Sequence, residues 1–211
     1  MISLSQHPLV SHNLLTLRDK TTTSEAFNLT LSRIATLVVA SACETLLTVS
    51  KTVESPLQSV TGQALCNMTQ IVIVPILRAG LSMSAVAKTL MPMASVYHLG
   101  LFRNETTLKP VVYYNKLAEA QLNKDTQVFL LDPMLATGGS ACAAIQLLLE
   151  TGVLPENIRF CSIISCPEGI KAIQTLSPMV GIYTAAIDEK LNDNGYIMPG
   201  LGDAGDRCFG T

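Results

Sequence analysis

The residues best placed to do chemistry form one run, Asp132-Pro133-Met134-Leu135-Ala136-Thr137-Gly138-Gly139-Ser140. Positions 137–140 offer successive backbone N–H groups, two hydroxyls and two glycines that let an anion approach closely. An apolar helix expected over 141–150 adds the partial positive charge of its N-terminus. That suits a terminal phosphomonoester held without metal or lysine. No G-x-x-x-x-G-K-[ST] occurs anywhere, so this is not a Walker loop. Asp132 cannot hold an anion, but as an acceptor it suits sugar hydroxyls. Phosphate beside hydroxyls means a phosphosugar.

Two further stretches carry candidate groups. Pro75-Ile76-Leu77-Arg78-Ala79-Gly80 puts Arg78 in a tight turn between an apolar strand and a helix expected over 81–90. The alternative is an arginine merely solvated in a loop. The tail, Gly195-Tyr196-Ile197-Met198-Pro199-Gly200-Leu201-Gly202-Asp203-Ala204-Gly205-Asp206-Arg207, is too rich in glycine for regular structure and too apolar for disorder. Its Gly200-x-Gly202-x-x-Gly205 matches a dinucleotide fingerprint, but the helix and second strand that the fingerprint needs have no room after it. Asp203 stands open between a turn-forming aspartate and a reactive carboxylate. Asp206 and Arg207 read as a structural pair closing the tail.

The elements that must position these groups alternate. Residues 128–131 and 71–74 are apolar runs of strand type, the second closed by Pro75, and strands are also expected over 159–165 and 180–186. Helices are expected over 141–150, 81–90 and from Pro167. Thr22-Thr23-Ser24-Glu25 reads as a capping box with Thr22 as the cap, opening a helix that runs to about Val49 on the face Phe27, Leu31, Ile34, Val38, Ala42 and Leu46. Residues 1–20 read as an irregular lead-in, and 51–70 as a surface segment with short strands. Residues 95–102 and 108–114 form a hairpin arm (about 95–114). The alternation predicts an α/β fold, a mostly parallel doubly wound sheet in a single domain over 1–211.

Composition narrows the function. The net charge of −2 and pI of about 5.9 offer no basic field for nucleic acid or an anionic membrane. The six cysteines show no C-x-x-C pair and read as reduced, buried thiols of a cytoplasmic protein. The N-terminal residues lack the layout of a signal peptide, and no uncharged apolar run approaches the roughly 18–20 residues of a membrane span.

With these motifs in hand, the chain resembles the uracil phosphoribosyltransferases from His7-Pro8-Leu9-Val10 through to Phe209-Gly210-Thr211. Asp132-Pro133 matches the uracil branch, where most phosphoribosyltransferases carry two adjacent acids. The resemblance implies the type I phosphoribosyltransferase fold, with the glycine-rich tail (about 187–211) as a base-binding hood. It implies transfer of phosphoribosyl from 5-phospho-α-D-ribose 1-diphosphate (PRPP) to uracil, giving UMP. The 5′-phosphate then lies on Ala136, Thr137, Gly138, Gly139 and Ser140, and the ribose on Asp132, with Pro133, Met134 and Leu135 completing the PRPP site. Arg78 and Arg103 hold the diphosphate, and Mg2+ is carried by PRPP and water rather than by a protein metal site. Ile197, Gly202 and Ala204 read uracil through their backbones, and Asp203 is the catalytic carboxylate, with Arg78 beside it. Members of the family form dimers or tetramers and some respond to GTP, which leaves an effector open. Phe102, Ser82 and Val111 depart from the usual pattern. The competing expectation is a non-catalytic PRPP or nucleotide sensor on the same fold.

Overall fold

The structure is a computed structural model. It describes residues 2–4, 7–66, 69–103 and 110–211, with Ile2–Leu4 and Arg103 described as backbone only. In chain order the elements are β1 (Ile2–Leu4), α1 (Pro8–Arg18), α2 (Ser24–Cys43), β2 (Thr48–Glu54), β3 (Ser59–Leu65), β4 (Ile71–Leu77), α3 (Leu81–Leu90), β5 (Ser95–Val96), β6 (Leu99–Arg103) and β7 (Pro110–Asn115). Then come β8 (Gln127–Leu131), β9 (Met134–Leu135), α4 (Gly139–Glu150), β10 (Ile158–Ser165), α5 (Pro167–Leu176), β11 (Gly181–Ile187), β12 (Lys190–Leu191), β13 (Ile197–Met198) and α6 (Ala204–Phe209).

The main sheet runs β1-β11-β10-β8-β4-β6-β7, parallel throughout except for the antiparallel edge strand β7. Helices cover both faces, as the alternation of elements predicts. Side chains alternate across each strand. Ile71, Ile73, Phe129 and Leu131 pack with Val10, Phe27, Leu31 and Met83 of α1–α3, while Val72, Val74, Val128 and Leu130 pack with Ala144, Ile145, Leu148 and Ile173 of α4 and α5. Each fully buried side chain of this size stabilises the fold by about 1.5–3 kcal/mol. α2 is long and apolar enough to cross a membrane by length and composition alone, but its Phe27, Leu31, Ile34 and Val38 lie in this core.

Several elements differ from the sequence reading. The lead-in contains a helix, α1, because Pro8 stands in its first turn, where a missing N–H costs nothing, and the His7 ring caps the Leu9 N–H at 3.2 Å. The cap of α2 is Thr23, whose hydroxyl accepts from Ala26 N–H, while the Thr22 hydroxyl turns back to the Thr16 carbonyl. α2 ends at Cys43 rather than near Val49, since the β-branched residues of Thr48-Val49 and Thr52-Val53 enter β2 instead. β4 runs through Pro75 to Leu77. Proline is tolerated there because it falls between the residues paired with β5 (Val72, Ile73) and those paired with β6 (Ile76, Leu77). The expected first strand of the arm is likewise split into β5 and β6. β6 and β7 pair antiparallel as the expected hairpin, but β6 also pairs with β4, so the hairpin continues the main sheet, with β7 at its edge, rather than standing apart from it; residues 104–109 lie outside the described residues. The free hairpin is β2–β3, exposed along nearly its whole length. All six cysteines are reduced thiols; Cys161, Cys166 and Cys208 are buried, while Cys43, Cys66 and Cys142 are half-buried.

Candidate active site

β4 lies between β8 on one side and β6 on the other, so the chain order reverses beside it. In an open α/β sheet, ligands bind beyond the carboxyl ends of the strands at such a point. Arg78 follows β4 there, and Asp132 follows β8.

The run 132–140 folds as its residue types require. Asp132 donates its N–H to the Cys161 carbonyl (3.2 Å), and its carboxylate accepts from Met134 N–H (3.2 Å). The Pro133 carbonyl accepts from Ile163 and Ile164, and Met134 and Leu135 pair with Ile164 and Ser165. The loop's first half is thus fastened to β10. Gly138 then turns the chain into α4 with φ +82°, and a Cβ there would stand 2.8 Å from the Cβ of Ala172. No side chain caps α4 and no acid stands in its first turn, which leaves its N-terminal amides and dipole to an anion. Ala136 to Ala141 line a cleft of about 80 Å³.

The hood contains more regular structure than its glycines suggest. β12 and β13 pair as a short hairpin, and α6 follows with Asp203 as its N-cap, accepting the Asp206 N–H at 3.0 Å. Ile197 and Ala204 are buried, Gly202 is exposed, and all three, with Asp203 and Tyr196, line a cavity of about 230 Å³. Asp132, Met134 and Ala136 wall both this cavity and the phosphate-loop cleft. The two are compartments of one site.

Arg78 is half-exposed, and its Nη2 donates to Asp206 Oδ1 at 2.9 Å. This overturns the expected Asp206–Arg207 pair. Arg207 instead donates to the backbone carbonyls of Leu17, Leu201 and Asp19 and stacks 4.3 Å above the Phe27 ring. Its five N–H groups suit carbonyls arranged around it better than one carboxylate. Arg103 ends β6 at the edge of the same sheet, and its side chain is outside the described residues. Sequence reasoning missed Ala79, Gly195, Tyr196 and Gly205 as cavity-lining residues. For Tyr196 and Gly195 the signal was their place in the hood. A larger cleft of about 440 Å³, lined by Thr45, Gln127, Arg159 and Tyr183 among others, opens at the amino ends of the strands and gathers none of the motif residues.

Asp132 is partly accessible from the cleft but otherwise enclosed. Burial raises its pKa to about 7, with the Asp203 charge adding to the rise and the Met134 N–H opposing it. A carboxyl whose pKa is raised on folding disfavours its own ionised form in the fold. Its contribution to stability is therefore complete below the unfolded value of about 3.9 and is lost as pH climbs through about 7. Asp132→Asn is accordingly expected to raise the Tm of the ligand-free protein by about 2–4 °C at pH 8, the change that 1 kcal/mol gives in a chain of this size, and by almost nothing at pH 4. Calorimetry at the two pH values checks this; an equal difference at both would refute it.

Known proteins bear on this site directly. The family model for uracil phosphoribosyltransferase matches residues 4–211. A uracil phosphoribosyltransferase of Dictyoglomus turgidum is 53% identical over 100% of both chains, and one of Finegoldia magna is 49% identical over 100% of this chain and 98% of its own. A solved protein of Aquifex aeolicus superposes with a TM-score of 0.90 at 40% identity, covering 99% of this chain and 98% of its own. The adenine phosphoribosyltransferase of Trypanosoma brucei shares the fold, with a TM-score of 0.56 at 13% identity over 88% of this chain and 82% of its own. A glycine loop at the switch point, an acid beside it and a glycine-rich tail lining the adjoining cavity thus coincide with full-length similarity: the chain belongs to the uracil phosphoribosyltransferase family.

Proposed function

We propose that this chain converts uracil and PRPP to UMP and diphosphate. The observation that carries the reading is the wall of Asp132, Met134 and Ala136 common to the phosphate-loop cleft and the hood cavity. It would let a phosphosugar and a base lie end to end. The 5′-phosphate sits on the amides and hydroxyls of residues 136–140, and the ribose hydroxyls donate to Asp132. Arg78 leaves Asp206 for the diphosphate, joined by Arg103. The C1′–O bond breaks with its electron pair leaving on diphosphate, and N1 of uracil supplies the pair that forms the new bond to C1′. The N1 proton passes to Asp203, directly or across one water. Arg78 stabilises charge that grows on the leaving group, so it acts most strongly in the transition state.

Uracil presents an acceptor at its 4-oxo group and a donor at N3–H, and cytosine inverts both. Backbone groups of Ile197, Gly202 and Ala204 that cannot change character reject the wrong base by about 10⁴-fold. Among the described residues no cluster of three or more His, Cys, Asp or Glu gathers to hold a metal. Asp132 and Asp203, which line the hood cavity together, would offer acceptors to a Mg2+ ion carried mainly by PRPP and water. When bound, the ion offsets charge on the diphosphate. Retention of Arg78 and the whole hood supports catalysis over sensing. We place the enzyme in the cytoplasm as a homo-oligomer. An isolated two-stranded hairpin is marginal in water, and the exposed β2–β3 hairpin is stabilised by lying on a second copy; a monomer in sedimentation equilibrium would overturn this.

The function is tested by UMP formation from uracil and PRPP with Mg2+, beside cytosine, hypoxanthine and orotate. Turnover is expected with uracil alone, and its absence there would sink the proposal. The phosphate loop has its own test. A Cβ on Gly139 would meet nothing nearer than the Thr137 hydroxyl at 3.8 Å, so Gly139→Val should fold. Its side chain would project into the space given to the phosphate, and PRPP affinity should fall about 10-fold or more, as for a lost charge-assisted contact. Calorimetric titration with PRPP reads this, and unchanged affinity would contradict the assignment.

A further inference from the structure

Gly200 is one of the points where the hood is fastened to the rest of the fold; Arg207, further along, is another, bonded to the carbonyls of Leu17 and Asp19. With φ at +64° and the Ile197 carbonyl oxygen 2.0 Å from where a Cβ would stand, only glycine fits. Both its backbone polar groups are engaged. Its N–H donates to Asp188 Oδ2 (2.9 Å), and its carbonyl accepts from Arg18 Nη1 (2.8 Å). Arg18 and Asp188 close the triangle with two parallel bonds of 2.8 and 2.6 Å. Asp188 follows β11, and its N–H is fixed to the Ser165 carbonyl at the end of β10 (2.8 Å); Arg18 is the last residue of α1. One glycine of the hood is therefore gripped by a carboxylate from the sheet and a guanidinium from the first helix. Neither residue lines the hood cavity.

We propose that Arg18 and Asp188 are positioning residues for base recognition: by fixing Gly200 they set where the backbone groups of Ile197 and Gly202 stand, and so how tightly uracil binds and how firmly cytosine is refused. This rests on the reading of the hood as the uracil pocket. Gly200 lies between those two positions, so a shift of its peptide is passed to both. A bidentate pair fixes orientation as well as distance, which a lysine or a neutral amide does not. The loop given to the 5′-phosphate has its own bonds to β10, from Asp132 to Cys161 and from Ile163 and Ile164 to Pro133, and none of them passes through Arg18, Asp188 or Gly200. Loss of the grip therefore acts on one substrate and spares the other.

The test uses Arg18→Lys, which keeps the charge and loses the fork, and Asp188→Asn, which keeps the shape and loses the charge. In both, kcat/KM for uracil is expected to fall about 10–100-fold through KM, the scale of a displacement of up to 1 Å, with PRPP Kd held within about twofold. Discrimination against cytosine narrows. An equal loss for both substrates, or an unchanged uracil KM, would overturn the proposal. Hydrogen exchange supplies a readout free of activity: in Arg18→Lys, protection should drop over 195–205 and stay unchanged in β8 and β10. Undiminished protection in the hood would overturn the clamp. Failure of the wild-type enzyme to use uracil would overturn the functional reading while leaving the exchange result to judge the clamp.

Discussion

Asp203→Asn is expected to lower kcat about 10²–10³-fold, the scale of losing one preorganised electrostatic contact to the transition state. Asp203 has two duties. Its carboxylate caps α6 through the Asp206 N–H, and it faces the cavity it lines with Asp132. Asparagine keeps a capping oxygen and removes the charge, so the fold is preserved. Asp203→Ala removes both and should add a loss of about 1 kcal/mol in stability, the ordinary worth of such a cap. Similar kcat for the two variants, with a lower Tm for alanine alone, is the expected pattern. Full turnover in Asp203→Asn would remove the carboxylate from the chemistry and leave it a capping residue. Because the Asp203 charge adds a small part to the raised pKa of Asp132, the same variant should lower that pKa slightly, with burial still holding it above the ordinary carboxyl range.

Arg78→Met should cost about 10²-fold or more in kcat/KM for PRPP, since it removes a charge-assisted bond that strengthens as the diphosphate departs. The ligand-free contact of Arg78 does not oppose this use. Its pair with Asp206 is a single bond between half-exposed groups, and such pairs are worth about 0–1 kcal/mol. Diphosphate, with more charge and more acceptors, is expected to displace the carboxylate. Asp206→Asn is the matching control and should leave PRPP affinity equal or slightly raised. Arg78→Lys should recover only part of the loss, because an ammonium is a point charge without the planar fork. Unchanged steady-state parameters for PRPP in Arg78→Met would break the assignment of this arginine to the leaving group.

What could be read from the sequence was local. The strand–acid–loop–helix run at 128–150, the Arg78 turn and the alternation of strands and helices are each carried by neighbouring residues whose preferences agree. The misreadings have local causes too. Pro8 signals a loop or a helix start with equal force, and Thr22 and Thr23 are both competent caps. What could not be read was tertiary. Arg78 and Asp206 stand 128 positions apart, and Arg18 and Asp188 stand 170 apart, with no periodicity to announce either pair. The same holds for Arg207, which adjacency pairs with Asp206 but which packing sends to three carbonyls and a phenyl ring. Pro75 was read as a strand end because its tolerance depends on a gap in the neighbouring ladder.

The grip on Gly200 also has a kinetic side. The loop over 132–140 is framed by β8, β9, α4 and β10, elements consecutive along the chain, and β8 and β9 both pair with β10, Val128 with Ile158 and Met134 with Ile164. The Arg18–Asp188 contact spans 170 residues. Long-range contacts return no energy until the entropy of closing the chain between them has been spent, which slows them far more than it weakens them. On the proposed reading of the site, the sugar-phosphate half is therefore expected to take shape first in a folding chain, with the base pocket assembled onto it.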